Sequence, residues 1–251
     1  MRFSLQHIAF LILSTLAWAD GPSDLRGSLQ RLQGHAPVQM NLDYATAQDA
    51  TRNQKTQHSE GSIRLRVGED GSGLHVDWNL RELEAANREE DLRDLDSHAP
   101  TPLRDAMKDL DAGRLNHILN QAEVLSHLLD GTQFKEERNE AYQGRSARVL
   151  EFTFKPRIAS AYQDRASHAK GMLKIWIGGD GLPLATESQM QYDGRHGRFF
   201  GLFSVHSRIE TTYAVLGGRL VVASRTSEDF LSDSGDELKS KKTLTLTEVR
   251  P

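Results

Sequence analysis

The chain contains no cysteine. That excludes disulfides, thiolate metal sites, a cysteine nucleophile and lipidation at a lipobox cysteine. It also lacks the short motifs that carry recognisable chemistry. There is no H-E-x-x-H, no G-x-S-x-G, no phosphate-cradling glycine loop and no EF-hand spacing. Beyond residue 19, no apolar run approaches the ~20 residues that a membrane-spanning helix needs. The formal charge of -4 gives no electrostatic reason to expect nucleic acid as a partner.

Ten histidines make chance pairings plentiful, so spacing decides between them. His196 and His206, taken on one strand, would share a face but stand roughly 33 Å apart at ~3.3 Å per residue. His117 and His127, on one helix, would be roughly 15 Å apart at ~1.5 Å rise. Neither pair can hold one ion. Ser204 and His206 merely share a strand face. The sequence therefore predicts no metal, no cofactor and no catalytic group.

The first nineteen residues read as an export signal. Arg2 gives a positive start, Ile8 to Leu13 a short apolar core, and Ala17-Trp18-Ala19 a cleavage site. The mature chain is expected to begin at Asp20, as a soluble protein of a bacterial periplasm. Its 37% hydrophobic and 26% charged composition suits one globular domain over 20–251.

Periodicity supplies the fold class. Ser23 and Asp24 are cap candidates for a short helix with Leu25, Leu29 and Leu32 on one stripe. Alternation marks strands at Val38–Tyr44, Ile63–Val67 and Leu74–Trp78. Thr46 to Gln57 reads as a polar loop. Leu80–Asp96 predicts an acidic surface helix. A second helix starts at Thr101, and a third runs from Gly113 to Gly131 with the widest apolar stripe. From Phe134 on, the chain reads as β. A polar edge strand comes first, and Pro156–Ala169 is a loop. A meander over Lys170–Thr226 follows, including a long run from Phe199 to Val215 and a turn at Gly217-Gly218. About ten strands and three or four helices make an α+β fold, a large, curved and mostly antiparallel sheet covered by helices. A hollow between sheet and helices is the expected binding site.

The stretch Leu173–Met190 holds Trp176-Ile177-Gly178-Gly179-Asp180-Gly181-Leu182-Pro183. It resembles the W-(I/V)-D-…-G-x-P stretch of the LolA/LolB/RseB-like periplasmic lipoprotein-carrier superfamily, and the order of elements resembles that family too. The resemblance implies an unclosed β-barrel covered by helices. It also implies a non-enzymatic role in binding a lipid, a lipoprotein acyl chain or another hydrophobic molecule. The same scaffold serves as a protein-interaction or envelope-stress sensor module, so an envelope protein partner is the alternative, and a hydrolase on another β-rich fold is a third. Met40, Trp78, Trp176, Met190, Phe203 and Tyr213 either line an acyl-chain pocket or belong to ordinary core. A cavity between sheet and helices would use many of the same side chains.

Overall fold

A computed structural model describes residues 20–97, 99–196 and 201–249. The signal, 1–19, and the start of the run at Phe199 lie outside the described residues. In chain order the elements are α1 (Gly21–Arg31), β1 (Val38–Arg52), β2 (Lys55–Asp70), β3 (Gly73–Asp77), α2 (Leu80–Leu95), α3 (Pro102–Lys108), α4 (Ala112–Leu119) and α5 (Gln121–Asp130). The β half follows as β4 (Thr132–Tyr142), β5 (Arg145–Phe154), β6 (Ala166–Ile177), β7 (Pro183–Arg195), β8 (Leu202–Leu216), β9 (Arg219–Asp233) and β10 (Asp236–Glu248). All ten strands join one antiparallel sheet in the order β3-β2-β1-β10-β9-β8-β7-β6-β5-β4. The first hairpin thus meets the last strand, while β3 and β4 remain unpaired edges, so the sheet is unclosed.

Two-residue turns set its twist. Asn53-Gln54, Gln143-Gly144, Gly217-Gly218 and Ser234-Gly235 all have positive φ at both positions. That is the turn geometry matching the right-handed twist of the strands it joins. The first of these overturns the loop expected at 46–57. Here β1 and β2 stay paired residue by residue to Arg52↔Lys55. The segment is polar because this end of the hairpin has little to bury, which erases the alternation that marks a strand. The loop expected at 156–169 likewise ends early, since β6 already begins at Ala166.

The described residues form five helices rather than three or four. The long third helix is split at Asn120 (φ -129°, ψ 54°) into α4 and α5. Its apolar stripe serves two cores. Leu115, Ile118 and Leu119 pack with Met40, Leu42, Leu65 and Leu244 on the β1–β2–β10 side. Ala122, Leu125 and Leu129 pack with Leu25, Leu29, Leu150 and Ile175 on the β5–β6 side. A straight helix could not follow both. α1 starts earlier than Ser23, with Asp20 as N-cap and Pro22 in the first turn, where proline's missing N–H costs nothing. At α3 the cap comes from another helix: Glu89 of α2 accepts from the Leu103 and Arg104 N–H groups, each at 3.0 Å. α2 also guards the edge of β2 that β3 leaves open, since Glu82 accepts from the Arg64 N–H at 3.2 Å.

Between the two cores lies a charged joint. Arg219, 2% exposed, donates to Glu69 at 2.5 Å. The same Glu69 carboxylate accepts from Asn120 Nδ2 at 2.8 Å. Breaking a buried pair by removing one partner costs about 3–5 kcal/mol. Glu69 keeps some access to water, so Glu69→Ala is expected to lower the urea stability by about 3 kcal/mol. Adding Arg219→Met, which removes the stranded cation, should recover most of the loss. Equal stability for the single and double variants would refute this reading of the joint.

Candidate functional site

Opposite residues of an antiparallel ladder share a face, so the register assigns every strand residue to one side of the sheet. One side faces the helices and is filled by the two cores. The other side carries no helix. None of the three principal cavities among the described residues has a helical residue in its wall. The largest, about 1100 Å³, belongs to the helix-free side, and β1 and β5 both contribute to it. Those strands are separated by five others in the sheet order, so the sheet curls around this space and its concave side faces away from the helices. The hollow expected between sheet and helices is instead packed with side chains. The cavity formed where a long twisted sheet bends back on itself.

Two rows across the strands form its floor. Row A runs Lys170, Gln191, His206, Phe230, Lys239, Asp49, from β6 to β1. Row B runs Met172, Gln189, Arg208, Glu228, Lys241, Ala47 along the same strands. On the opposite, helix-facing side, the Phe154 ring from β5 packs against the β5–β6 core and lies over Gly171, where a Cβ would come within 2.5 Å of it. Only glycine lets that ring sit there. Lys239 stands 5.8 Å over the Phe230 ring, and the His206 ring lies 6.0 Å from it. The site size slightly exceeds the ~300–1,000 Å³ typical of small-molecule pockets.

The rest of this face is an alternating charge ladder. Glu151 takes Arg138 at 2.5 Å, Lys135 at 3.2 Å and Lys174 at 3.9 Å. Glu187 takes Arg208 at 2.9 Å, and Glu228 takes Lys241 at 2.9 Å. Each exposed cross-strand pair contributes only about 0.2–1 kcal/mol. Glu151 differs, being 7% exposed in its side chain. The hydrogen bond from Arg138, against the opposing effect of burial and with help from Lys135, lowers its carboxyl to about 2.

The six residues singled out from the sequence do not meet at one site. Met40 is in the β1–β2–β10 core, and Trp78, just past β3, packs against it. Tyr213 packs against the other core. Its hydroxyl lies 2.8 Å from Thr186 Oγ1, and burial raises its phenol to about 12. Trp176 is on the helix-free face, 5.5 Å from the Tyr142 ring, in the wall of a separate 260 Å³ cavity. Phe203 is buried in an aromatic group with Tyr162, Tyr192 and His196. There His196 Nε2 bonds Asp233 at 2.7 Å. Of the six, Met190 alone borders the large cavity, and its pairing with Gly171 puts its side chain on the helix-facing side. His196 follows the end of β7 while His206 is in β8, so the two are not on one strand. Among the described residues, no group of three His, Asp or Glu side chains could hold a metal ion. None of their helices is long and apolar enough to cross a membrane.

Sequence reasoning missed Lys170, Met172, His206, Phe230 and Lys239. Each lies on the face of its strand opposite the apolar core, and so reads as solvated surface. Only the pairing register and the curl bring them together. No family model matches the chain, and no curated protein matches it.

The Glu151 carboxyl is depressed in the folded state, so its contribution is fully present above its ordinary value of 4.5 and fades as pH falls toward 2. Glu151→Gln should cost roughly 1–3 kcal/mol at neutral pH. The gap between variant and wild type in denaturation midpoint should close as the medium is acidified through that window. A gap that is the same at every pH would show that the carboxylate is not held ionised by its neighbours.

Proposed function

We propose that the protein binds a hydrophobic small molecule, a lipid or the acyl chain of an acylated protein, in the concave, helix-free face of its sheet, without chemistry of its own. The observation that carries this reading is the 1100 Å³ cavity walled by seven strands. Met172, Phe230, Ala47 and the aliphatic stems of Lys170 and Lys241 supply apolar surface. Each methylene buried there contributes about 0.8 kcal/mol, so a chain of ordinary length gains enough to offset the cost of association. An unclosed antiparallel sheet with helices on one face supports the likeness to the lipoprotein carriers. A periplasmic address, through the signal at 1–19, is part of the same proposal.

A second reading, a protein-interaction or sensor module, draws on α2. Its Leu80, Leu92 and Leu95 are 67%, 58% and 87% exposed, an unusual display on an otherwise acidic helix.

Native mass spectrometry with lipid extraction, on the chain from Asp20 purified from periplasm, separates the two. The carrier reading expects a stoichiometric acyl-chain species. Phe230→Asp should weaken its retention at least tenfold, about 1.4 kcal/mol, without unfolding the protein. A mass that stays free of lipid when lipids are offered, together with envelope proteins captured in a Leu92- and Leu95-dependent way, would favour the interaction module instead.

A further inference from the structure

The two rows of the cavity floor differ in how their charges are spent. In row B every charge is engaged. Arg208 binds Glu187 at 2.9 Å and Glu210 at 2.5 Å, and Lys241 binds Glu228 at 2.9 Å. Row A is less fully paired. Lys170 has no carboxylate within ion-pair distance among the described residues, and His206 contacts the Phe230 ring without a hydrogen bond to the protein there. Lys239 has only the exposed Glu237 at 3.4 Å. The row's single carboxylate, Asp49, is held by His58 at 2.6 Å. The next one along β7, Asp193, is held by His168 at 2.9 Å. Asp229 carries its charge on the opposite face, where Ser207 donates to it at 2.6 Å. One end of the cavity therefore presents two lysines beside an aromatic ring, and Lys170 has no carboxylate partner among the described residues.

We propose that Lys170 and Lys239, with His206 between them, receive an acidic group, so that the ligand of the concave face is an amphipathic anion: an apolar body ending in a carboxylate or a phosphate. This rests on the proposed binding role and narrows it to a chemical class. The acid group binds at row A through charge-assisted hydrogen bonds from the lysines, which are stronger than neutral ones. The apolar body lies against Phe230, Met172 and Ala47, where water is displaced. Row B offers no spare cation, so the ligand enters with its acid toward row A.

Titration calorimetry on the lipid-stripped chain with dodecanoate, dodecyl phosphate, dodecanol and inorganic phosphate tests this. Dodecanoate and dodecyl phosphate should bind at least tenfold more tightly than dodecanol. That margin should shrink as ionic strength rises. Lys170→Gln/Lys239→Gln should abolish it, so that the two acids bind the variant no more tightly than dodecanol does. Both substitutions are on exposed side chains, and circular dichroism verifies that the variant folds. Equal binding of all three chain compounds would overturn the acid-recognition claim and leave the hydrophobic-binding reading standing. Binding of none would overturn both. Inorganic phosphate binding as tightly as dodecyl phosphate would overturn the amphipathic claim, because the anion would then be recognised without its chain.

Discussion

A guanidinium buried to 2% exposure must be compensated, and the way Arg219 is compensated fixes how the two halves of this protein meet. Its partner Glu69 comes from the far hairpin, 150 residues away in sequence. The same carboxylate anchors Asn120, where the central helix breaks. Strand β9, hairpin β1–β2 and the α4–α5 corner are thus tied through one charge. The two apolar cores are built on either side of that tie. Ion pairs of this kind rarely contribute much net stability. Their value here is geometric, because the Glu69 carboxylate meets both Arg219 and Asn120 only when the halves are joined as they are.

Once the halves are joined, the strands' length and twist determine the shape. Apart from the five-residue β3, the strands run 10–16 residues and, at ~3.3 Å per residue against ~1.5 Å in a helix, outreach the helices that cover them. The helices therefore occupy one side of the sheet and cannot fill the concavity made by the curl on the other. Cross-strand ion pairs line that concave side where an apolar core would otherwise demand more chain. Glu151 stays charged there because Arg138, Lys135 and Lys174 from neighbouring strands surround it, and Glu187 pairs with Arg208 of the next strand. A wet, charged and concave face is compatible with an open sheet. A dry one would expose apolar surface at the unpaired edges β3 and β4 and invite further strands to add. β4 answers that hazard directly with Lys135, Glu136, Glu137, Arg138 and Glu140 along its length.

Much of this architecture was legible in the sequence. Leu25, Leu29 and Leu32 marked α1, the acidic run marked α2, and the turn at Gly217-Gly218 and the edge strand β4 followed from turn chemistry and polarity. The antiparallel sheet of ten strands followed from hairpin spacing. What escaped had physical causes. The paired strands over 46–57 bury too little to show alternation. The break at Asn120 lies inside an unbroken helical stripe, because nothing local distinguishes a stripe that serves one core from a stripe that serves two. The candidate site was the least legible part. Aromatic and methionine residues were the natural suspects, yet Met40 and Tyr213 proved to be packed in or against the cores. The cavity's own residues, among them Lys170, His206 and Lys239, look in isolation like any solvated strand face.

That difference between a solvated face and a site is a matter of compensation. A surface strand spends its charges on its neighbours, as row B does with Arg208–Glu187 and Lys241–Glu228. Row A lies a single alternation away on the same strands and the same floor, yet Asp49 and Asp193 bond His58 and His168, Lys239 keeps Glu237, and Lys170 faces the cavity with no carboxylate partner among the described residues. Mutual satisfaction would have been available at little cost: an acid at Gln191, between Lys170 and His206 in the register, would close the row as Glu228 closes row B. An uncharged amide stands there instead, and it can hydrogen-bond an acidic ligand without repelling it. The chain pairs its charges almost everywhere on this face, and among the described residues it leaves Lys170 without a carboxylate where the sheet also presents an aromatic ring and room for a guest.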